Sequence, residues 1–429
     1  MRLKSIQIQN FRCFDDLTVE FEKDLSVVVA VNGGGKTALL DAIAAAFLPV
    51  SDNLGNDTQR GVISLTKDIR FPEEKEKLNL ALEMVGGMNW VLPYQLIKER
   101  ESDDLPIRLE MEIDYQMFDM RSRLYENPDS KEVIPVLAYY RSSRNFTKDP
   151  QATDKNQEFL RLDVWNTALD AAANYQDVID WCNAKEIEEL RKFKVERKIA
   201  PSVALECVRQ AVTSILEPAQ SFYFTATTPS VPALQWLDNG GPPNERLVSQ
   251  LSDGYRNILA LVMDFARRLA QANPQLPNPL ESEAIMLVDE VDLHLHPKWQ
   301  QTIIADLQRT FPNTQFIVTT HSPQVLTTVE SRCIRILEDG KVRHAPPASQ
   351  GAESVRMLER IMKVDSRPPG IGKTEQITEL MQLISDNQLD EAQKLLAMLQ
   401  EWSQGEEPAL DDAEMAIENR RWEEALPKE

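Results

Sequence analysis

Between Leu25 and Phe47 the chain reads LSVVVAVNGGGKTALLDAIAAAF. Val27, Val28, Val29 and Val31 make a β-branched run, Asn32, Gly33, Gly34 and Gly35 a loop, and Lys36-Thr37 open an amphipathic helix. Strand, glycine loop and helix in that order are what a phosphate-binding loop needs. Glycines let the backbone fold tightly enough to aim its N–H groups at an anion, and the positive end of the following helix adds to the attraction. Lys36 is placed to reach β- and γ-phosphates, and the Thr37 hydroxyl to hold Mg²⁺. Ala30 stands where the pattern begins with glycine. The competing reading is a plain glycine turn between a core strand and a core helix.

Three later segments bear on that choice. Ala284 to Val288 is an apolar run ending in Asp289-Glu290. Asp289 at a strand tip can hold the metal through water, and Glu290 can orient or deprotonate a water attacking the γ-phosphate. Leu251-Ser252-Asp253-Gly254-Tyr255-Arg256 precedes the apolar run Ile258 to Ala270. Ser252 and the Gly254 amide at that helix start make a second anion cradle; the plainer account is an ordinary helix N-cap. Phe316 to Ser322, FIVTTHS, puts His321 at the polar end of a strand, where it can report on the γ-phosphate. Of four histidines in the chain, His294, His296 and His321 fall in these segments, which argues against a chance strand cap.

Around these motifs, Met1 to Glu22 reads as a strand hairpin containing Asn10-Phe11-Arg12. Lys77 to Val85 and Ile107 to Tyr115 alternate like solvated antiparallel strands, and Pro135 to Tyr140 is an apolar strand. Gln157 to Leu216 is helical without sustained heptads, Ser221 to Pro243 holds one hairpin, and Ile334 to Val342 turns over Asp339-Gly340. Strands alternating with helices predict an α/β fold, a mixed sheet with flanking helices plus a helical subdomain. The divisions expected are 1–150, an N-terminal lobe with the phosphate loop; 151–220, a helical insertion; 221–345, a C-terminal lobe; and 346–429, an acidic helical tail.

At this point the set NFR, NGGGKT, LSDGYR, MLVDEVDLHLHP and VTTHSP, in that order, resembles the ATP-binding-cassette heads of the SMC, RecF and OLD-like class. The resemblance implies ATP and Mg²⁺ as cofactors and a homodimer that sandwiches two ATP molecules. It places Ser252 and Gly254 across the dimer, Arg12 on the nucleotide of its own subunit, and Asp292 to His296 in a loop signalling between sites. Leu295-His296 replaces the Leu-Asp that ends this loop in many members. Arg141 to Arg144 takes the place of a lid loop whose glutamine is missing. Absent long coiled coils, a Toprim region and an HNH cluster leave a stand-alone head similar to the PtuA-like ATPase subunit of Septu and retron-associated antiphage systems. The resemblance then implies an ATPase, with no nuclease activity of its own, that senses or gates a separate HNH nuclease. Two other readings stay open: a RecF-like ATPase clamping DNA, and a nucleotide-stabilised scaffold with little turnover.

Composition bounds the partners. The 429 residues carry a net charge of −21, and from Glu375 to Glu429 there are 15 acidic and 4 basic side chains. Such a chain binds nucleic acid only through a local basic patch. Arg191 to Lys198, RKFKVERK, is the best candidate, against the plainer reading of a solvated helix face. No run reaches the ~18 apolar residues of a membrane helix. The first residues lack a signal-like apolar region, and the four cysteines have no paired spacing, so a cytoplasmic protein is expected. In the tail, Gly370-Ile371-Gly372-Lys373-Thr374 imitates a phosphate loop without a preceding strand and is read as a decoy. Glu375 to Trp402 predicts two amphipathic helices and Asp411 to Leu426 a third, either packed on their own domain or docking a basic partner.

Overall fold

The computed structural model describes residues 1–55, 77–85, 95–97, 108–110, 115–127, 130–142, 159–169, 175–197, 201–227, 229–237 and 241–425. They form two compact units, Met1–Met357 and Leu358–Glu429. The first is built on a six-stranded sheet of β3 (Leu25–Val29), β7 (Val136–Tyr140), β11 (Ala284–Val288), β12 (Thr314–Thr319), β13 (Ile334–Glu338) and β14 (Lys341–His344). Their order is β14-β13-β3-β12-β11-β7. Every residue of β3, β7, β11 and β12 is buried. That is how strands covered by helices on both faces read in sequence, as unbroken apolar runs. β7, β11, β12, β3 and β13 are parallel, and only β14 at the edge is antiparallel. Val288 pairs with both Tyr140 and Val318, and Thr319 with Val28, so the carboxyl ends of four strands finish level. In a parallel sheet this is the edge where ligands bind.

Two antiparallel sheets flank this core. β1 (Leu3–Phe11) lies between β2 (Phe14–Glu20) and β4 (Lys77–Met84), followed by β5 (Gln95–Ile97) and β6 (Arg108–Glu110). Buried and exposed residues alternate along β2, as expected of a sheet with one wet face. Tyr115, at the end of the alternating stretch, instead opens a helix to Glu126. Most of Ser51 to Arg70, part of Ile107 to Tyr115, and Arg144 lie outside the described residues. The single hairpin expected within Ser221 to Pro243 is a three-stranded meander of β8 (Ala219–Phe224), β9 (Pro232–Trp236) and β10 (Asn244–Leu247). Glycine and proline flank these strands and hide the third. The helical stretch after Gln157 resolves into a 3-10 turn, Arg161–Trp165, and helices Tyr175–Glu196 and Val203–Ile215.

The helix Asp253–Ala272 is buried from Ile258 onward and carries Asp264, Arg267 and Arg268 inside the core. Asp264 accepts from Arg268 Nε at 2.6 Å, Arg267 Nη2 at 2.7 Å and the Tyr140 hydroxyl at 2.9 Å. Burial alone would raise this carboxyl, but the Arg268 and Arg267 guanidiniums outweigh it and hold Asp264 well below the usual carboxylate range. The ion cluster fastens the end of β7 to the helix.

The second unit is three helices, Gly372–Ser385, Leu389–Ser403 and Pro408–Ala425. Ile377, Leu380 and Ile384 meet Ala392, Leu396 and Leu399 and then Leu410, Ala413 and Ile417 in one core. Spacings of three, four and seven residues put each set on one helical face. Lys373 of the decoy motif donates to Gln376 at 3.1 Å and stands 5.3 Å over the Trp402 ring. Among the described residues no strand lies between β14 and this helix, so the segment is a helix start and not a phosphate cradle.

Candidate active site

β3 ends at Val29, and the chain turns through Ala30 to Gly35 into the helix Lys36–Ala46. Val31 lies outside the strand with 66% of its surface exposed, so the β-branched run overstates the strand by two residues. Gly35 has φ +94°, and a side chain there would press on Phe14 and Cys13 at under 3 Å. Only glycine fits both demands. Ala30, in the place of the pattern's first glycine, has no left-handed backbone and needs none. Its Cβ would lie 2.8 Å from a Cβ at Gly34, so the methyl group is accommodated by the glycine opposite. Asn32 and Gly33 are exposed at the tip. Lys36 is buried and its Nζ donates to the Ala30 carbonyl at 3.1 Å, folded back over the loop. Burial lowers its pKa, while Asp289, Glu290 and Asp292 pull it back up.

The loop meets the strand tips through hydroxyls. Thr37 Oγ1 donates to Asp289 Oδ2 at 2.8 Å, and Thr319 Oγ1 donates to Asp289 Oδ1 at 2.6 Å. Thr319 Oγ1 also accepts the Glu290 N–H at 2.7 Å. Glu290 sits at φ +51°, a region a non-glycine residue occupies when its surroundings impose it. Next along, Thr320 Oγ1 donates to Asp292 Oδ1 at 2.5 Å and accepts the Ser322 N–H at 2.9 Å. The two threonines before His321 thus hold the two carboxylates that begin and follow the Asp-Glu pair. His321 is half-buried beside them and makes no hydrogen bond among the described residues. A threonine hydroxyl and a carboxylate oxygen sharing one hydrogen bond are hard oxygen donors at one point. They suit Mg²⁺, which takes few protein ligands and completes its shell with phosphate and water.

An AAA domain family profile matches residues 5–203, and a second AAA domain profile matches 190–327. The chain is 26% identical to a retron Ec83 probable ATPase of Escherichia coli over its whole length and 89% of that relative. It is 22% identical to a Septu protein PtuA of Bacillus mycoides (strain KBAB4) over 80% of the chain and 41% of that protein. Among solved structures it is similar to an SMC head domain from Thermotoga maritima, at 16% identity, with a TM-score of 0.43 and 81% and 99% of the two chains covered. Between them the two AAA domain profiles span residues 5–327, and the chain is similar along its whole length to a retron probable ATPase.

In this chain the Leu-Ser-x-Gly segment lies against the loop after Glu290. Ser252 is exposed at the start of the helix Asp253–Ala272, and its side chain makes no capping hydrogen bond. The capping account therefore does not explain its hydroxyl. A Cβ on Gly254 would stand 2.5 Å from the His294 carbonyl oxygen, so glycine is needed for two backbones to touch. His294 is left-handed at φ +62°, and Leu295 N–H bonds back to Asp292 O at 3.0 Å, which folds Asp292 to His296 into a tight turn. Tyr255 adds a second joint, edge-on to Trp299 at 4.2 Å and to Trp236 at 5.2 Å. Trp236 and Trp299 lie in no motif, so nothing in the sequence marks them.

Arg12 occupies the β1–β2 turn at φ +47° and forms an ion pair with Asp41, five residues beyond Lys36 in the loop helix. Asp41 is 1% exposed and also accepts from Arg141 Nη2 at 2.8 Å and the Tyr139 hydroxyl at 2.9 Å. The sequence does little to mark Asp41, because one acid on an apolar helix looks like a solvated position. Its signal is the spacing from Lys36 on a helix otherwise built of alanine, leucine and isoleucine.

Proposed function

We propose that this chain binds and hydrolyses ATP as a homodimer and thereby gates a separate HNH-type nuclease in an antiphage defence system. The observation that carries the ATPase part is the hydrogen-bonded chain Thr37–Asp289–Thr319–Glu290, which draws loop, metal-site carboxylate and candidate base together. In this reading the N–H groups of Asn32 to Gly35 and the Lys36 ammonium take the phosphates, and Arg12 contacts the same nucleotide. Mg²⁺, held by Thr37 and Asp289, would supply positive charge to the β- and γ-phosphate oxygens. Glu290 accepts the proton of the attacking water at its carboxylate, and His321 hydrogen-bonds the γ-phosphate. Ser252 and Gly254 of the partner copy close the other side. The defence role rests on likeness to a retron probable ATPase and a Septu protein, and the nuclease partner on the motif resemblance alone.

Turnover and nucleotide binding test this directly. The wild type should hydrolyse ATP only with Mg²⁺, Lys36→Ala should lose binding, and Glu290→Gln should bind ATP while turnover falls at least ~100-fold. ATP affinity retained in Lys36→Ala would overturn the assignment. Wild-type turnover near zero and unchanged by Glu290→Gln would favour the scaffold instead. A second reading has one observation behind it. The helix Tyr175–Glu196 ends with Leu190, Arg191, Lys192, Phe193, Lys194 and Val195 all exposed, and Arg197 follows. A basic projection on an acidic protein suits a DNA clamp. Salt-dependent duplex binding lost on charge reversal of Lys192 and Lys194, with no nuclease partner, would support it.

A further inference from the structure

We propose that Arg141 is a ligand for nucleotide phosphate for which the Asp41 carboxylate competes, and that Asp41 thereby limits how tightly the site takes its nucleotide. The inference rests on the ATPase reading above and gives a role to Arg141, which opens the segment in the place of the lid loop.

Position comes first. β7 lies beside β11, Tyr140 pairs with Val288, and the Asp289 N–H donates to the Tyr140 carbonyl at 2.8 Å. Arg141, the next residue, is therefore level with the metal-site carboxylate on the ligand-binding edge of the sheet. Charge comes second. Two guanidiniums, Arg12 and Arg141, stand on the one carboxylate of Asp41 next to the phosphate loop. Tyr139 stays a neutral phenol beside them, since burial, then the nearby Asp41, push its pKa far above ordinary values.

Valence comes third. A guanidinium offers five N–H donors in a fork that fits phosphate oxygens two at a time. Arg141 spends Nη2 on Asp41, rests its charge 5.0 Å over the Tyr139 ring, and leaves a buried Nε with no acceptor among the described residues. A buried donor without an acceptor is unfavourable, and an incoming phosphate supplies what is missing. Asp41 can release Arg141 at small cost, because Arg12 and the Tyr139 hydroxyl continue to satisfy it. The exchange is one ion pair for a stronger one, and it ties nucleotide arrival to the end of β7.

The test uses the full chain, with Mg²⁺ and ATP as the probe, and reads dissociation constants together with thermal midpoints without nucleotide. Arg141→Gln should weaken ATP binding about tenfold or more, the scale of one lost charge-assisted hydrogen bond, and Arg141→Lys should restore most of it. Asp41→Asn should lower the midpoint of the empty protein yet bind ATP at least as tightly as wild type. A structural brace predicts the reverse sign for that variant: affinity and midpoint would fall together in Asp41→Asn and Arg141→Gln alike. That result, or an Arg141→Gln affinity within twofold of wild type, overturns the proposal and leaves the ATPase reading standing. If Asp41→Asn does not fold, the Arg141 pair decides alone. Wild type that fails to bind ATP at millimolar concentration overturns both.

Discussion

A methyl group at position 254 would meet the His294 carbonyl oxygen at 2.5 Å, and neither backbone has room to yield cheaply. Gly254→Ala should therefore cost roughly 1–3 kcal/mol of stability, as overpacking of a tight contact does. It should also move the Asp292–His296 turn and abolish ATP-driven association, with ATP binding by single copies retained. Ser252→Ala makes the complementary case. Its side chain caps nothing, so the thermal midpoint should stay within ~1 °C while association weakens. Differential scanning calorimetry and sedimentation on the same samples separate the two. Thr319→Val removes the hydroxyl that binds Asp289 and accepts the Glu290 N–H. It should cost about 1–3 kcal/mol and reduce turnover more than ATP affinity. Nothing in the letters TTHS distinguishes that hydroxyl from a threonine chosen for a strand, which is why attention falls on His321 and not on its neighbours.

Among the elements, the join between β7 and the helix Asp253–Ala272 depends most on charge. Asp264→Ala would strand Arg267 and Arg268 in the core without their counter-ion, at about 3–5 kcal/mol. The pH dependence follows from the direction of the shift. A carboxyl depressed by folding adds stability above its unfolded pKa of about 3.9, and that stability is lost as pH falls toward the lower folded value. Wild type should thus lose stability steeply below about pH 4, and Asp264→Asn should start lower and fall less steeply over the same range. Chemical denaturation at several pH values measures both. The elements differ in how far their sequences give them away. β3, β7, β11 and β12 announce themselves as apolar runs because both faces are covered. The Asp264 cluster is silent, since acids and arginines spaced three and four apart look like an exposed helix face until the helix is placed inside. The meander β8–β10 is blurred for another reason: β10, NERL, is polar and half exposed, and its pairing with β9 supplies the order.

At the scale of the whole chain, the α/β class follows from the alternation of buried strands and helices, and the three helices of Leu358–Glu429 from spacing alone. Leu396, fully buried there, should cost roughly 2–5 kcal/mol when cut to alanine, read as loss of amide protection within Gly372–Ala425. Three of the four cysteines are buried, and Cys207 is pushed up to about 11 by burial, so ordinary oxidants should spare them. Among the described residues no helix is long and apolar enough to cross a membrane. On the proposed reading, the far wall of the nucleotide site is the Ser252–Gly254 segment and the Asp292–His296 turn of a second copy. The direct measurement is the mass of Glu290→Gln in solution with and without Mg²⁺-ATP, by sedimentation equilibrium. The account predicts that ATP doubles the mass and that adding Ser252→Arg to the same chain returns it to a single copy with ATP still bound. Single copies at saturating ATP, or pairs indifferent to both ATP and Ser252→Arg, would contradict it.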